Sequence, residues 1–539
     1  MEEEPRTRSE APGTGVADVV EQGLLGWDEV VSSALLGTGR RVGGPAAEAV
    51  LDAAAVHTVR RRAGLRAGAA VTPPEPAPHD ERAPLPAAAR RRLAQLLAGR
   101  AAPAPSAGRR GAAPDVAELL PQWLAAAGRY GYRAPASALP ALLDAARART
   151  DLRPAALAFA GPRGLWLARQ NPEWRFALRG AAGGAALPPP DDHEAVRRLW
   201  DEGLFAERVA LLAAVRSADP AAGRELLAGT WAAERAEDRL MFLDSLRAGL
   251  SDADEAFLET ALTDRSRNVR STAAELLSAL PASALAARMA DRAASCVALD
   301  RSGDGVSIVV EAPHECDAAM QRDGLVAVPP PGRGERSWWL GQLVEYAPLS
   351  CWPARLGGRS PEEIVALPVS DDWQPELHAA WSRAAVRQGD AAWSRALLAS
   401  PSTSSLAERA KLLATLGEDE RAEWVAGFVS AHGLSEAFQL LGVCAVPWAE
   451  PLGRAVIDAL DIARDAGSYP WSFSGVMGLA ERCLDPGAAG RLEALTTLVA
   501  EGEDAAPGAA GYWSEAFQRL VSTLRVRAAM HAELSPPPP

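Results

Sequence analysis

The chain repeats itself at an offset of 31 residues between Val196 and Pro281. Val196, Leu227 and Leu258 align, as do Trp200, Trp231 and Leu262, then Arg208, Arg239 and Arg270, and finally Val215, Leu246 and Leu277. A fixed period of this size marks a stacked-repeat protein. Each unit is a helical pair whose apolar stripe stays exposed until a neighbour covers it. The third unit shows the pattern. Phe257, Leu258, Ala261 and Leu262 fall on one face of a helix over Asp254–Leu262, which Ser251 or Asp252 can cap. Asp264 to Asn268 makes a polar turn. Val269, Ala273, Leu276, Leu277 and Leu280 then share one face of a second helix that Pro281 ends.

Bulk properties exclude several classes. The 539 residues are 48% apolar and carry a net charge of −13, which argues against an extended nucleic-acid footprint. Lys411 is the one lysine, every other basic residue being arginine, as a high-GC coding bias would produce. No stretch approaches the roughly 18 apolar residues that a membrane span needs. The acidic start, Met1-Glu2-Glu3-Glu4, lacks the basic and apolar parts of a signal peptide, so the cytoplasm is expected. Cys296, Cys316, Cys351, Cys444 and Cys483 are odd in number and widely spaced, as reduced thiols are.

The expected organisation is mostly all-α. Residues 1–20 read as disordered and 21–190 as an N-terminal helical region with Pro-rich linkers at Pro73–Pro86 and Gly99–Pro114. The repeats occupy 191–295. A β-hairpin insertion and a Trp-rich segment fill 296–371, with strands expected over Val306–Val310 and Gly324–Val328. Further helical repeats run over 372–533, and 534–539 is a disordered tail.

Motifs that could carry chemistry are incomplete. Gly37-Thr38-Gly39-Arg40-Arg41 lacks the Gly-Lys-Ser/Thr of a phosphate loop and reads as a helix end. Arg90, Arg91 and Arg92 with Arg109 and Arg110 make a basic stretch that reads as a solvated helix face. Asp191-Asp192-His193-Glu194 reads as a helix cap, because no spaced second set of ligands accompanies it. His314, Cys316 and Asp317 read as loop residues for the same reason. No metal or cofactor is expected. Trp338, Trp339, Trp352, Trp373, Trp381 and Trp393 crowd into 56 positions. At helical spacing they belong to a core, while Trp338, Trp339, Trp352 and Trp373 are the candidates for a partner-binding surface.

Asp264, Val269 and Arg270 resemble the turn signature of a HEAT-type repeat, which implies an α-solenoid in which this Asp and Arg tie neighbouring turns together. Arg208 and Arg239 share that expectation, ahead of the alternative that the aligned arginines bind an anion. Ala34-Leu35-Leu36-Gly37-Thr38, Asn171-Pro172-Glu173-Trp174, Arg239 to Pro281, Asp323-Gly324 with Trp338-Trp339-Leu340, and Trp471-Ser472-Phe473 together resemble an uncharacterised bacterial domain family of unknown function. Its members are similar to HEAT-like proteins and lie in gene neighbourhoods with a MoxR-type AAA+ ATPase, a von Willebrand A protein and a SWIM zinc-finger protein. The resemblance implies a non-enzymatic scaffold or adaptor with a AAA+ or von Willebrand A partner. The alternative is a HEAT-like DNA glycosylase that stacks a base on the tryptophans, with Asp371 and Asp372 beside Trp373 as its acids. The acidic balance and the lack of a basic stripe weigh against it.

Overall fold

A polar turn between two apolar helix faces leaves both helices with bare ends, and arginines finish them throughout this chain. The computed structural model describes residues 25–37, 47–63, 74–99, 116–180, 187–302, 305–402, 405–497 and 508–536. The readings on residues 1–20, Thr38 to Arg41, Arg109 and Arg110, most of Gly99–Pro114 and the last three residues lie outside them. Among the described residues the protein is mostly helical, with 26 α-helices and one two-stranded sheet.

The chain divides into two compact units, Met1–Pro76 and Ala77–Pro539, so the N-terminal region expected as one piece parts within its Pro-rich linker. In the first unit, helices Trp27–Leu36 and Ala47–Arg62 pair over Val30, Val50 and Ala53, and the Arg61 guanidinium lies 4.1 Å from the Trp27 ring centroid.

The second unit holds the repeats. The first helices of the three units are His193–Glu202, Pro220–Thr230 and Glu255–Ala261; the second are Phe205–Ala218, Ala236–Ser245 and Arg267–Ser278. Every aligned apolar position is buried except Trp231, which is half-buried against Phe257. Each such leucine, valine or phenylalanine contributes about 1.5–3 kcal/mol by leaving water. The second helices pack one on the next, and the row continues through Glu335–Tyr346, Gln374–Gln388 and Leu406–Leu413 to Glu418–Leu441. One core runs unbroken from Val196 to Leu524.

The aligned arginines stand at successive joints. Arg208 pairs with Glu234 of the next unit, and its guanidinium lies 4.4 Å from the Trp200 ring centroid. Arg239 donates to Asp264 of the next unit at 2.5 Å, to Trp231 O at 3.0 Å and to Ala232 O at 3.1 Å. Arg270 donates to Asp264 O at 2.8 Å and Arg265 O at 3.1 Å. Arg421 repeats the Arg239 arrangement far down the chain, reaching Leu413 O at 2.8 Å and Ala414 O at 3.2 Å. Arg239 and Arg421, each from a first turn, satisfy carbonyls at the end of the preceding helical segment, which no intrahelical N–H can reach and where the helix dipole is negative; Arg270 serves the carbonyls of the turn itself, and Arg208 bridges to the acid. Val269 fills the other half of the signature and is fully buried.

One expectation is corrected. Gly324–Val328 is not a strand: the hairpin pairs Val297–Asp300 antiparallel with Ser307–Val310, Val297 opposite Val310. The polar groups of residues 326–327 are taken by helix Glu335–Tyr346 instead. Val326 N donates to Gln342 Oε1 at 2.8 Å, and the indoles of Trp338 and Trp339 donate to Val326 O at 2.7 Å and Ala327 O at 2.8 Å. Gly324, with φ +92°, sits so close to Ala274 that any Cβ would meet it at 2.4 Å. Helix Arg153–Gln170 breaks at Gly161, whose φ is +60°. The carbonyls freed there, Ala158 O and Phe159 O, accept from Arg82 at 2.8 and 3.2 Å.

The last helix, Ala509–Leu534, does not stop at its sequence neighbours. It packs on Ala87–Gly99 and Val116–Arg129, with Met530 and Leu534 buried in the core of the N-terminal helices. Arg92 pairs with Glu533 at 2.7 Å and Tyr132 donates to Leu534 O at 3.0 Å. In a plain repeat array each unit touches only its neighbours; here the two ends of the second unit meet.

Burial decides which ion pair matters. Arg216 and Asp254 are both completely buried and 3.2 Å apart, with Arg224 also 3.2 Å from Asp254. The Arg216 guanidinium further donates to Leu246 O, Ala248 O, Gly249 O and Pro220 O. Arg216→Met leaves those carbonyls and one side of a buried carboxylate bare and is expected to lower unfolding stability by about 3–5 kcal/mol. Arg198→Ala, which removes an exposed pair with Glu194 one helical turn away, is expected to change it by less than about 0.5 kcal/mol. Urea unfolding of the two variants measures the contrast.

Candidate functional site

The tryptophan segment is the docking surface that the sequence leads one to expect. Trp352 is fully buried and meets Trp381 edge-on at 5.7 Å between centroids; Trp381 in turn lies 5.3 Å from Trp393. Trp352 is therefore core and not a partner surface. Trp339 is 7% exposed, and Trp338 and Trp373 are half-buried against the same core. Their ring bodies are used up by packing, and two of the indole N–H groups hold the 326–327 segment. Asp371 and Asp372 are exposed and have φ of +56° and +57°, outside both of the cavities found below.

His378 joins the tryptophan core. Its Nδ1 lies 2.5 Å from Ser402 Oγ and 3.3 Å from Ser400 Oγ, and its Nε2 is buried without a partner among the described residues. Nothing in the sequence distinguished these residues. A histidine bonded to a serine suggests nucleophilic chemistry. Burial, however, pushes this imidazole down to about 4, which makes it a poor base at neutral pH, and no acid orients its other nitrogen. It is a core histidine held neutral.

The thiols are no better placed. Burial pushes Cys351 and Cys444 up to about 11 and raises Cys296, Cys316 and Cys483 as well, so all five are held as thiols. Among the described residues no group of three or more His, Cys, Asp or Glu could hold a metal ion. Asp192 accepts from Ala195 N at 3.1 Å as a helix cap, and His314 is exposed beside Glu311.

A cavity of about 820 Å³ opens along the row of second helices. Its walls come from successive members of the row: Arg247 and Leu250 just after helix Ala236–Ser245, Glu275 and Leu280 from and after the next, then Glu345, then Arg383 and Arg387, and finally Glu408 and Lys411. The aligned arginines Arg208, Arg239 and Arg270 are not among them. The groove carries both signs of charge. Arg247 pairs with Glu275 at 3.0 Å, and Glu345 accepts from both Arg383 and Arg387. Lys411 is exposed and makes no ion pair with any described residue. Glu345, Arg383 and Arg387 escaped the sequence reading because helical spacing shows which residues share a face, not which faces meet. A groove that is half apolar and half paired charge suits a protein segment: side chains of a partner can exchange with the resident pairs, and the lysine is an unspent cation.

The buried imidazole sets a pH dependence. His378 has a folded value near 4 against an ordinary value of 6.5, so its neutral form belongs to the fold. Its contribution is complete above pH 6.5 and is lost as the pH falls towards 4. The stability difference between the wild-type protein and His378→Gln is expected to shrink by about 2.5 kcal/mol between pH 7.5 and pH 4.5 in urea unfolding. Surface carboxylates titrate alike in both proteins and cancel.

Neither a curated protein nor a solved structure is similar enough to this chain to match. A family model does match, described as a family of unknown function (DUF5691), over residues 29–534. That span takes in the helical hairpin of the first unit, the repeats, the groove and the closing helix, and the chain is thus a member of that family of unknown function.

Proposed function

We propose that the chain is a non-enzymatic, cytoplasmic scaffold, a HEAT-like α-solenoid with a small β insertion, that docks a protein partner in the groove along its second helices. The observation that carries this reading is the groove itself: five successive helices of the row line about 820 Å³ with arginine, glutamate and lysine. Stacked repeats build extended binding surfaces of this kind. The repeating arginine joints support the HEAT-like assignment, and the protonated thiols and low histidine weigh against catalysis. The partner proposed, from the resemblance of the sequence, is a MoxR-type AAA+ ATPase or the von Willebrand A protein that accompanies it. A groove spanning several repeats suits an extended segment of either.

The test uses the full chain, immobilised, with each purified partner in solution. Wild type is expected to bind one of them, and Lys411→Glu with Arg247→Glu to weaken that binding by about tenfold, chiefly in the association rate and most at low salt. Binding to neither partner, or equal binding by the charge-reversed protein, overturns the proposal. Binding of duplex or single-stranded DNA at low salt, in place of either protein, would favour a nucleic-acid-acting enzyme instead.

A further inference from the structure

A second cavity, about 430 Å³, lies where the two ends of the second unit meet. Helix Val116–Arg129 forms one wall with Gln122, Ala125, Ala126 and Arg129. The closing helix forms the opposite wall with Arg527, Ala528, Met530 and His531, and Val446, Arg482 and Asp485 complete it. Its size is that of a site for a small organic molecule.

Its polar groups are poorly spent. Arg527 is only 4% exposed, yet no carboxylate lies within ion-pair distance among the described residues. It donates from Nη1 alone, to Leu484 O at 2.6 Å and Glu481 O at 3.2 Å. A buried guanidinium without a counter-charge is costly, and its burial holds it below the ordinary arginine value. Arg129 and Arg482 stand on the same cavity, Arg129 reaching only Val446 O at 3.5 Å and Arg482 lying 3.7 Å from Glu118. Asp485 is the single acid on the lining, and its Oδ1 is turned to its own loop, accepting from Gly487 N at 2.7 Å. His531 is held down by burial and then by the nearby Arg527 and Arg129, which favours its neutral form.

An acceptor waits beside the cations. Gln122 Nε2 donates to Glu118 O at 3.0 Å, which fixes the amide so that Oε1 is the other end. That oxygen is buried and has no donor. The remaining lining, Ala125, Ala126, Val446, Pro447, Ala528 and Met530, is apolar.

We infer that this cavity binds a small organic anion: a carboxylate or phosphate ester whose charge meets Arg527, Arg482 and Arg129, whose hydroxyl or amide N–H donates to Gln122 Oε1, and whose compact apolar body lies on the alanines, Met530 and Pro447. Guanidinium forks match both oxyanions in geometry. Bound there, the anion supplies the counter-charge that Arg527 lacks and bridges the first helices of the unit to the last. Occupancy therefore favours the joined state of the two ends, by the linkage that any ligand of the folded form exerts. The inference stands on this cavity alone and does not depend on what the groove binds.

Calorimetric titration of the full chain tests it with 4-hydroxybenzoate and phenyl phosphate as probes, and with phenol and inorganic phosphate as comparisons. At least one of the two organic anions is expected to bind, phenol not to bind, and inorganic phosphate to bind about tenfold or more weakly than phenyl phosphate for want of the apolar contacts. Arg482→Ala and Arg129→Ala, both on the outer part of the cavity, are each expected to weaken the anion about tenfold, whereas Lys411→Glu in the groove leaves it unchanged. Arg527→Met should abolish binding; should that protein fail to fold, the two outer variants decide the matter. No binding by either organic anion, binding of phenol equal to that of 4-hydroxybenzoate, inorganic phosphate binding as tightly as phenyl phosphate, or undiminished binding by both outer variants overturns the inference.

Discussion

An arginine in the first turn of one helix, bent back onto the last carbonyls of the helix before it, holds this protein together. Each tight turn between antiparallel helices strands several C=O groups that water would otherwise satisfy, and packing the next unit over them removes the water. Arg239, Arg270 and Arg421 meet that need at turns far apart in sequence, and Arg82 does so at the break before Gly161. The cation also lies at the negative end of the preceding helix dipole. Where the arginine also reaches an acid of the next unit, as Arg208 and Arg239 do, one side chain finishes a turn and sets the spacing to its neighbour.

Two departures from a simple repeat array follow from where the next helix is missing. After Cys296 the chain turns into a hairpin instead of a second helix, and residues 324–327 fill the gap beneath helix Glu335–Tyr346. Tryptophan is the residue for that position, since one ring covers apolar area while its N–H satisfies a backbone carbonyl. At the far end, helix Ala509–Leu534 is long enough to finish the core of the repeats with Phe517 and Leu524 and to enter the core of the N-terminal helices with Met530 and Leu534. A terminal repeat has an uncovered face; here another part of the same unit covers it.

Both cavities arise from this architecture rather than from any local motif. The groove collects residues of successive second helices, which carry charge because they point out of the core, and the pairs among them form across units. The smaller cavity forms where two packed faces join imperfectly, and its arginine is buried because the closing helix carries it inward.

The 31-residue period determined by itself that the second unit would hold paired helices, and which positions would be buried: Val196, Leu227, Leu258, Val215, Leu246 and Leu277 were all legible from spacing. The helix start at Asp192 was legible too, because a cap is written in neighbouring residues. What the tertiary structure alone decided is every relation between distant faces. The strand partner of Ser307–Val310, the burial of Trp352, the pairing of Glu345 with Arg383 and Arg387, and the meeting of Arg92 with Glu533 depend on which surfaces touch. A helical period constrains one face of one helix; it is silent on the direction in which that face finds its neighbour, and for that reason the repeats could be read from the chain while the cavities between them could not.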